Sequence, residues 1–394
     1  MSDNVIYVDN NATTCVAPEV FEAMRPFLCE RYGNPSSIYS FGGEVAQDIL
    51  TARVRVAELL GATYRDKDGC PTEIIFTSCG TESDNAAIRS ALQLRPDRHK
   101  IVTTKVEHPA ILNLCKELER EGYSFTAIGV DGDGRLDMAE LEAAVDESTA
   151  VVSVMWANNE VGNIFPVEEA AAIAHRHGAL FHTDAVQAAG KVEINMAESG
   201  IDMLSISGHK LHAPKGVGVL YVRRGIRFRP FIIGGHQEKG RRGGTENVAG
   251  IVALGKACEI ARLGMKSEIE LVRSLRDRLE AGIAARVPKI RINGDRGHRL
   301  PNTSSISFEY IEGEAILLLL DQHRICASSG SACTTGSLEP SHVLRAMGLP
   351  YTAAHGTLRF SFSRYNTIEE VDRIIEAVPP VISTLRGMSP YWSE

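Results

Sequence analysis

The sequence has no excess of positive charge, no long apolar run and no recognisable leader segment. Lysine and arginine number 42 against 50 aspartate and glutamate residues, so the formal net charge of the 394-residue chain is −8. Binding of nucleic acid or anionic membrane generally needs a basic surface, so this charge argues against a general polyanion binder. No stretch approaches the roughly 18 consecutive apolar residues of a membrane-spanning helix. The N-terminal residues carry no targeting signal, and we therefore expect a cytoplasmic protein.

The cysteines also lack the spacing of a metal or redox motif. None of the eight is separated from another by two residues, which is the spacing of a zinc knuckle or a redox couple. A Gly-x-x-x-x-Gly-Lys-Ser/Thr loop is absent as well, and this argues against a nucleotide hydrolase. We expect separate thiols, most of them buried and unreactive.

What the sequence does contain is an alternation of apolar strands and helices. The run at residues 73–77 is followed by a glycine-containing turn and a helix, and the run at 151–156 by an alanine-rich helix. Further strands are predicted at 179–182, 203–206 and 216–222. This alternation predicts βαβ units and an α/β fold with a mostly parallel sheet that is buried on both faces.

The pattern changes beyond about residue 250, where a long helical stretch is followed by two strands and a last helix. This change predicts a smaller α+β domain beside a large α/β domain. We assign residues 15–260 to the large domain, and residues 1–14 with 261–394 to the small one.

Polar residues follow several predicted strands at their carboxyl ends, where such sheets form ligand sites. Lys210 lies just beyond a strand, and burial there would lower its pKa and leave an amine able to form a Schiff base. Thr81 opens a helix whose N-terminus favours a phosphate, with Ser207 and His209 as further donors. Asp184 ends a strand and could keep a heteroaromatic nitrogen protonated, as carboxylates do for pyridoxal. Taken singly, each has a plainer interpretation, as a surface lysine or a helix cap.

Two further features lie in the second half of the chain. Residues 328–337 are small and include two glycines, which predicts a flexible loop that exposes Cys333 and carries it into and out of a buried site. The plainer interpretation is a turn with an incidental cysteine. Arg359 lies in an apolar strand and needs an anionic partner, which is either a substrate carboxylate or a structural ion pair.

The order of these residues resembles that of the pyridoxal-phosphate-dependent cysteine desulfurases, in the branch that contains NifS and IscS. The resemblance covers nearly the whole chain and depends on nine segments in register. The segments are DNNATT (9–14), GNPSS (33–37), TSCGTESDN (77–85), EHPA (107–110), NNEVG (158–162), HTDAVQ (182–187), SGHK (207–210), GGTEN (243–247) and SSGSAC (328–333).

The resemblance implies a fold-type-I transferase homodimer whose large domain has a seven-stranded sheet and binds pyridoxal 5'-phosphate. Lys210 would hold the cofactor as a Schiff base, and His108 would stack on its ring. Cys333 would take sulfur from L-cysteine as a persulfide, with L-alanine as product, and pass it to a scaffold protein for iron–sulfur cluster assembly. The implied cofactor site comprises Gly80, Thr81, His108, Asn158, Asp184, Gln187, Ser207, His209, Lys210 and, toward the neighbouring subunit, Thr245. Asn11, Asn158 and Arg359 would bind the substrate.

Two features resemble NifS, the nitrogen-fixation enzyme, rather than housekeeping members of the family. Cys79 stands where those members usually have glycine, and the tail lacks their longer extension. Nitrogenase maturation is therefore the expected pathway, with Cys333 also a candidate for a transient iron–sulfur ligand. Two alternatives stay open. One is a selenocysteine lyase or related aminotransferase, which needs no loop thiol, and the other is an iron–sulfur carrier or scaffold with Cys326 and Cys333 as ligands.

Overall fold

The computed structural model of the chain describes residues 5–329 and 339–392. Its strands are β1 (Ile6–Tyr7), β2 (Ile74–Thr77), β3 (Lys100–Thr104), β4 (Ser124–Ile128), β5 (Thr149–Ser153), β6 (Leu180–Asp184), β7 (Met203–Ser207), β8 (Gly218–Val222), β9 (Ile290–Ile292), β10 (Thr303–Phe308), β11 (Ile325–Cys326), β12 (Ser328–Ser329) and β13 (Thr357–Ser361). Its helices are α1 (Pro18–Met24), α2 (Pro26–Cys29), α3 (Ser40–Leu59), α4 (Gly80–Leu94), α5 (Pro109–Arg120), α6 (Met138–Ala144), α7 (Val167–Arg176), α8 (Gln237–Gly240), α9 (Val248–Ala284), α10 (Gly313–Gln322), α11 (His342–Ala346), α12 (Tyr351–His355) and α13 (Ile368–Met388).

In the described part of the chain, seven strands form one sheet in the order β2-β8-β7-β6-β5-β3-β4. Strand β8 is antiparallel to both of its neighbours, and the other neighbouring pairs are parallel. Alternate residues enter different apolar cores, so that Val152 packs on one face of the sheet and Val151 on the other. The predicted mostly parallel sheet, buried on both faces, is confirmed.

A second, smaller sheet lies in the C-terminal part of the chain. Its order among the described residues is β12-β13-β10-β9, with antiparallel pairing throughout. Strand β1 pairs with β11, and Ile6 and Val8 therefore join the apolar core that contains Phe308 and Phe360. Helix α9 runs unbroken through residue 260, so the predicted domain boundary falls inside a helix and stays a prediction.

Three residues assigned to the small domain from sequence pack elsewhere. Val343, Leu344 and Met347, from α11 and the turn after it, lie in the core beneath the large sheet. The C-terminal part of the chain therefore contacts both cores. None of the helices in the described ranges is both long and apolar enough to cross a membrane.

Helices α3 and α9 approach each other closely at a glycine. A Cβ atom built on Gly255 would lie 2.5 Å from the Cα of Ala52, which is far inside van der Waals contact. Gly264, in the same helix, has no atom within 4 Å of the equivalent position. The two glycines therefore separate the effect of packing from that of helix propensity.

We predict that Gly255→Ala lowers the free energy of unfolding by about 1–3 kcal/mol, because two helix backbones must separate to admit the methyl group. Gly264→Ala is the matched control and should raise it by about 0.5–1 kcal/mol, through helix propensity alone. Urea unfolding followed by circular dichroism measures both values. Equal stability of the two variants would contradict the close packing of α3 and α9.

Candidate active site

The direction of the strands brings distant residues to one edge of the large sheet. Of its seven described strands, all but β8 run the same way, so their carboxyl ends meet. Asp184 ends β6, and Ser207 ends β7. Gly80 begins α4, shortly after β2. These residues surround a cavity of about 330 Å³, which is the size of a small-molecule site.

Most of the residues predicted from sequence line this cavity. They are Asn11, Gly80, Thr81, His108, Asp184, Gln187, Ser207, His209, Lys210 and Arg359. Asn158 and Thr245 are not among the lining residues, and Cys333 lies outside the described residues. The roles of individual residues stay predictions, but the structure brings ten of them together.

Lys210 lies in the short 3₁₀ turn after β7, and its amine is held inside the protein. The Nζ atom donates hydrogen bonds to the backbone carbonyls of Asn11 and Ala12, each at 2.6 Å. Burial, followed by the positive charges of Arg359 and Lys191, lowers the pKa of this amine to about 7. A large share of the amine is therefore uncharged near neutral pH and able to act as nucleophile or base. The interpretation of Lys210 as an exposed loop lysine is wrong.

Asp184 and His108 each cap a local turn and also line the cavity. One carboxylate oxygen of Asp184 accepts a hydrogen bond from the Val186 amide at 2.9 Å. His108 begins α5, and its Nδ1 accepts a hydrogen bond from the Ala110 amide at 3.1 Å. Burial lowers the pKa of His108 and raises that of Asp184, and the attraction between the two opposes both shifts. His108 is thus the N-cap of α5, no helix directly follows Asp184 in the described part of the chain, and both side chains border the site.

The N-terminus of α4 offers a cradle for an anion. The N-cap of this helix is Cys79, whose Sγ accepts a hydrogen bond from the Glu82 amide at 3.5 Å. The alternative of Thr81 as the N-cap is therefore wrong, and Thr81 instead lines the cavity. A Cβ on Gly80 would lie 2.8 Å from Cγ2 of Val186, so a glycine keeps this approach open. Free amides at a helix N-terminus attract a phosphate.

Ser207 and His209 border the same cavity from the end of β7. The Nδ1 atom of His209 lies 3.1 Å from Oγ1 of Thr13. Burial lowers the pKa of His209 to about 4, and the charge of nearby Lys210 adds to this effect. His209 is therefore neutral at pH 7 and offers hydrogen bonds rather than a full charge.

Arg359 forms a structural ion pair and also borders the cavity. Its Nη2 forms an ion pair with Asp9 at 2.7 Å, and its Nη1 donates to the carbonyl of Asn159 at 3.0 Å. The Nε atom is buried and has no hydrogen-bond partner among the described residues. Asn11, which also lines the cavity, donates from its side chain to Thr303 at 2.8 Å. The structural ion pair of Arg359 therefore exists, and the guanidinium still borders the cavity.

Asn158 is held inside the loop after β5 by its own hydrogen bonds, and its predicted contact with cofactor and substrate stays a prediction. Its side-chain nitrogen donates to the carbonyl of Val106 at 3.0 Å, and its oxygen accepts from the amides of Glu160 and Val161. These bonds hold the loop after β5 and leave the side chain fully buried in it. The structure places the neighbouring Asn159 at the cavity instead.

Thr245 is exposed on the loop before α9, away from the cavity of its own chain. Within the described ranges, no group of three or more histidine, cysteine or acidic side chains is arranged to hold a metal ion. The predicted iron–sulfur ligand Cys333 is outside those ranges. The cysteines inside them form no disulfide.

The sequence analysis missed an acidic residue of the cavity, Asp84. It lies one helical turn after Gly80 and Thr81, and this spacing was the available signal. Its Oδ1 has no hydrogen-bond partner among the described residues and lies 3.6 Å from Nε2 of His182. Burial, followed by the nearby Asp184, raises the pKa of Asp84 well above its usual range.

A second buried acid, Glu107, directly precedes His108. Its Oε1 accepts hydrogen bonds from the Met155 amide at 2.8 Å and from Thr104 Oγ1 at 2.9 Å. Its Oε2 is buried without a partner among the residues described. Burial raises the pKa of Glu107 to about 8, although both hydrogen bonds oppose the shift.

The raised pKa of Glu107 predicts a pH-dependent cost to stability. The folded protein keeps this proton up to about pH 8, whereas the unfolded chain releases it near pH 4.5, so wild-type stability falls as pH rises through this window. Glu107→Gln removes the titration. The stability of the variant relative to wild type should therefore increase by on the order of 2–4 kcal/mol between pH 5 and pH 8.

Urea unfolding at several pH values measures this difference. Glu119→Gln, at an exposed position of the same helix α5, is the control and should show no such trend. A constant difference between Glu107→Gln and wild type across the range would show that Glu107 is ionised in the folded protein.

Comparisons with known proteins agree with this arrangement. Residues 6–374 match the family model described as aminotransferase class-V. The chain is 59% identical over 388 residues to the cysteine desulfurase NifS of Azotobacter vinelandii, an alignment that covers 98% of this chain and 95% of that protein. A solved structure described as a NifS-like protein has a TM-score of 0.89 at 39% identity and covers 97% of this chain and 100% of its own. Another, described as SspA in complex with cysteine, has a TM-score of 0.81 at 33% identity and covers 92% and 100%.

Proposed function

The chain belongs to the class-V aminotransferase family and is a pyridoxal-phosphate-dependent cysteine desulfurase with the type-I fold, and from this premise we propose how its residues remove sulfur from L-cysteine. The observation that carries the proposal is the buried amine of Lys210 at the cavity where the strands end. The nucleophile that collects the sulfur is Cys333, and the second product is L-alanine.

The residues around the cavity fit pyridoxal 5'-phosphate. The Lys210 amine provides the covalent attachment, and the start of α4 with Ser207 provides a site for the phosphate. Asp184 supplies the carboxylate for the ring nitrogen. The Oε1 atom of Gln187 is buried without a partner among the described residues, and its Nε2 is already bound to the carbonyl of Asn11 at 3.0 Å. This free acceptor is what a polar group on the cofactor would satisfy.

The cofactor, when bound, withdraws electrons from the Cα atom of the bound amino acid. Arg359 and Asn11 hold the substrate carboxylate. The Lys210 amine, uncharged in part at pH 7, takes the Cα proton as a general base. The Cys333 thiolate then attacks the substrate sulfur, so a sulfur–sulfur bond forms as the carbon–sulfur bond breaks. A persulfide on Cys333 remains, and it is the form in which sulfur leaves the enzyme.

Two variants separate the covalent role of Lys210 from that of Cys333. We predict that borohydride reduction of the cofactor-loaded wild type fixes the cofactor to the peptide that contains Lys210, and that Lys210→Ala gives no labelled peptide. Cys333→Ala should keep the labelled Lys210 but lose persulfide formation and at least about 100-fold of its alanine production, because the nucleophile is missing. Peptide mapping by mass spectrometry and an alanine assay measure these results.

Full alanine production by Cys333→Ala would contradict its role as the nucleophile. That outcome would favour the mechanism of a selenocysteine lyase. Such an enzyme needs no loop thiol, so alkylation of the thiols would leave it active on selenocysteine. The alternative of an iron–sulfur carrier is overturned by the family membership, since the alignment to a desulfurase spans nearly the whole chain.

We further propose that two copies of the chain form the active enzyme. Several large apolar side chains are exposed on the single chain, including Leu28, Tyr32 and Ile38 near its start and Ile233 on the loop that leads to Thr245. Exposed apolar side chains of this kind are typical of a surface that another protein covers. Thr245, which is exposed and distant from its own cavity, would then reach the phosphate of the partner subunit.

Sedimentation equilibrium tests the dimer. We expect a mass twice the 42.8 kDa of the chain at micromolar concentration. Thr245→Val should keep that mass and weaken cofactor retention about 10-fold, because one hydroxyl contact to the phosphate is lost. A monomer that retains the cofactor as tightly as the wild type would contradict the proposal.

We also propose an acceptor for the sulfur. The identity to NifS, together with Cys79, supports delivery to an iron–sulfur scaffold protein for nitrogenase maturation. The unpaired cysteines of the described residues support a cytoplasmic location, because the cytosol keeps thiols reduced. Transfer of labelled sulfur from Cys333 to a purified scaffold tests this step, and failure of the transfer would count against that acceptor.

A further inference from the structure

Lys210 also borders a second, smaller cavity that is separate from the site described above. Its volume is about 20 Å³, which is room for a single water molecule. Three charged side chains line it besides Lys210, namely Lys191, Glu268 and Arg364. No step of the proposed reaction uses these three residues.

The three side chains come from different parts of the fold. Lys191 follows β6, Glu268 lies in α9, and Arg364 follows β13. Arg364 forms an ion pair with Glu268 at 2.6 Å. Lys191 donates a hydrogen bond to the carbonyl of Gln187 at 3.2 Å, and no carboxylate of the described residues lies within ion-pairing distance of it. The charge of Lys191 is therefore only partly balanced.

This charge acts on Lys210 because both residues border the same cavity, where little water screens them. Lys191 and Arg359 disfavour the charged form of Lys210, whereas Asp9 and Asp184 favour it. Burial lowers the pKa of Lys191 to about 8, and the negative charge of Glu268 opposes this shift, so Lys191 is still mostly charged at pH 7.

The remaining titratable group of the small cavity is His212. Burial lowers the pKa of His212 to about 4, so this ring is neutral at pH 7. Lys191 is thus the group of this cavity whose charge lowers the pKa of Lys210, and Glu268 acts on Lys191 in turn.

We propose that Lys191 is a positioning residue for the reaction, which acts on Lys210 by its charge across the small cavity, and that Glu268, held by Arg364, keeps Lys191 charged. The inference rests on the proposed role of Lys210. It assigns a task to a buried lysine that contacts neither the main cavity nor the substrate.

The test is a pH titration of the visible absorbance of the cofactor-loaded enzyme without substrate, which reports the proton on the nitrogen of Lys210. Lys191→Met removes a positive charge and should raise the midpoint by about 0.5–1 pH unit. Glu268→Gln removes the negative charge that keeps Lys191 protonated and should therefore raise the midpoint by a smaller amount. Lys191→Arg keeps the charge and should restore the wild-type midpoint.

Two variants at exposed positions of α9, Lys266→Met and Glu270→Gln, change the same charges away from the cavity and should leave the midpoint unchanged. A merely structural role for Lys191 would give no shift in Lys191→Met, or the same shift in Lys191→Arg as in Lys191→Met, and either result would overturn the inference. If Lys191→Met does not fold, Glu268→Gln and Lys191→Arg still decide the question.

Failure of this inference is distinguishable from failure of the proposed function. If borohydride labels Lys210 but neither Lys191→Met nor Glu268→Gln shifts the midpoint, only the role of Lys191 is overturned. An unlabelled Lys210 overturns the function from which the inference starts.

Discussion

Burial of the Lys210 amine is the constraint from which the rest of the site follows. An ammonium group removed from water loses hydration that a few hydrogen bonds replace only in part, so burial favours the neutral amine. Here the replacement consists of the backbone carbonyls of Asn11 and Ala12. Those carbonyls belong to the segment that follows β1. Strand β1 pairs with β11, and its residue Ile6 packs in the apolar core beside the small sheet. The chemistry at Lys210 therefore depends on contact between the two parts of the fold.

The shared direction of the strands explains how residues far apart in sequence meet at this amine. Loops after β2, β3, β6 and β7 all open at one edge, and several of their side chains have two tasks. Cys79 and His108 each cap the helix that follows, and each also lines the cavity. Local helix stability and the shape of the site are consequently set by the same side chains.

The sequence allowed prediction of those features that depend on local pattern. The buried strands and the residues directly at their ends, such as Asp184 and Lys210, were identified because apolar runs mark a parallel sheet. Strands β3 and β4 were missed, since threonines, a lysine and a serine interrupt their apolar pattern and the outermost strand, β4, is only partly buried. The place of Asn159 at the cavity depends on the backbone path of its loop, which the sequence does not show. The pKa values of Asp84 and Glu107 depend on burial by distant segments, which no local pattern records.

The central claim is that a cofactor attached at the buried amine draws electrons from bound cysteine. The most direct measurement is the absorbance spectrum of the purified protein, supplemented with pyridoxal 5'-phosphate, before and after addition of L-cysteine, together with an alanine assay. A visible band that changes on addition, with alanine formed, is the predicted result. A colourless protein, or a spectrum that L-cysteine leaves unchanged while no alanine forms, would contradict the account.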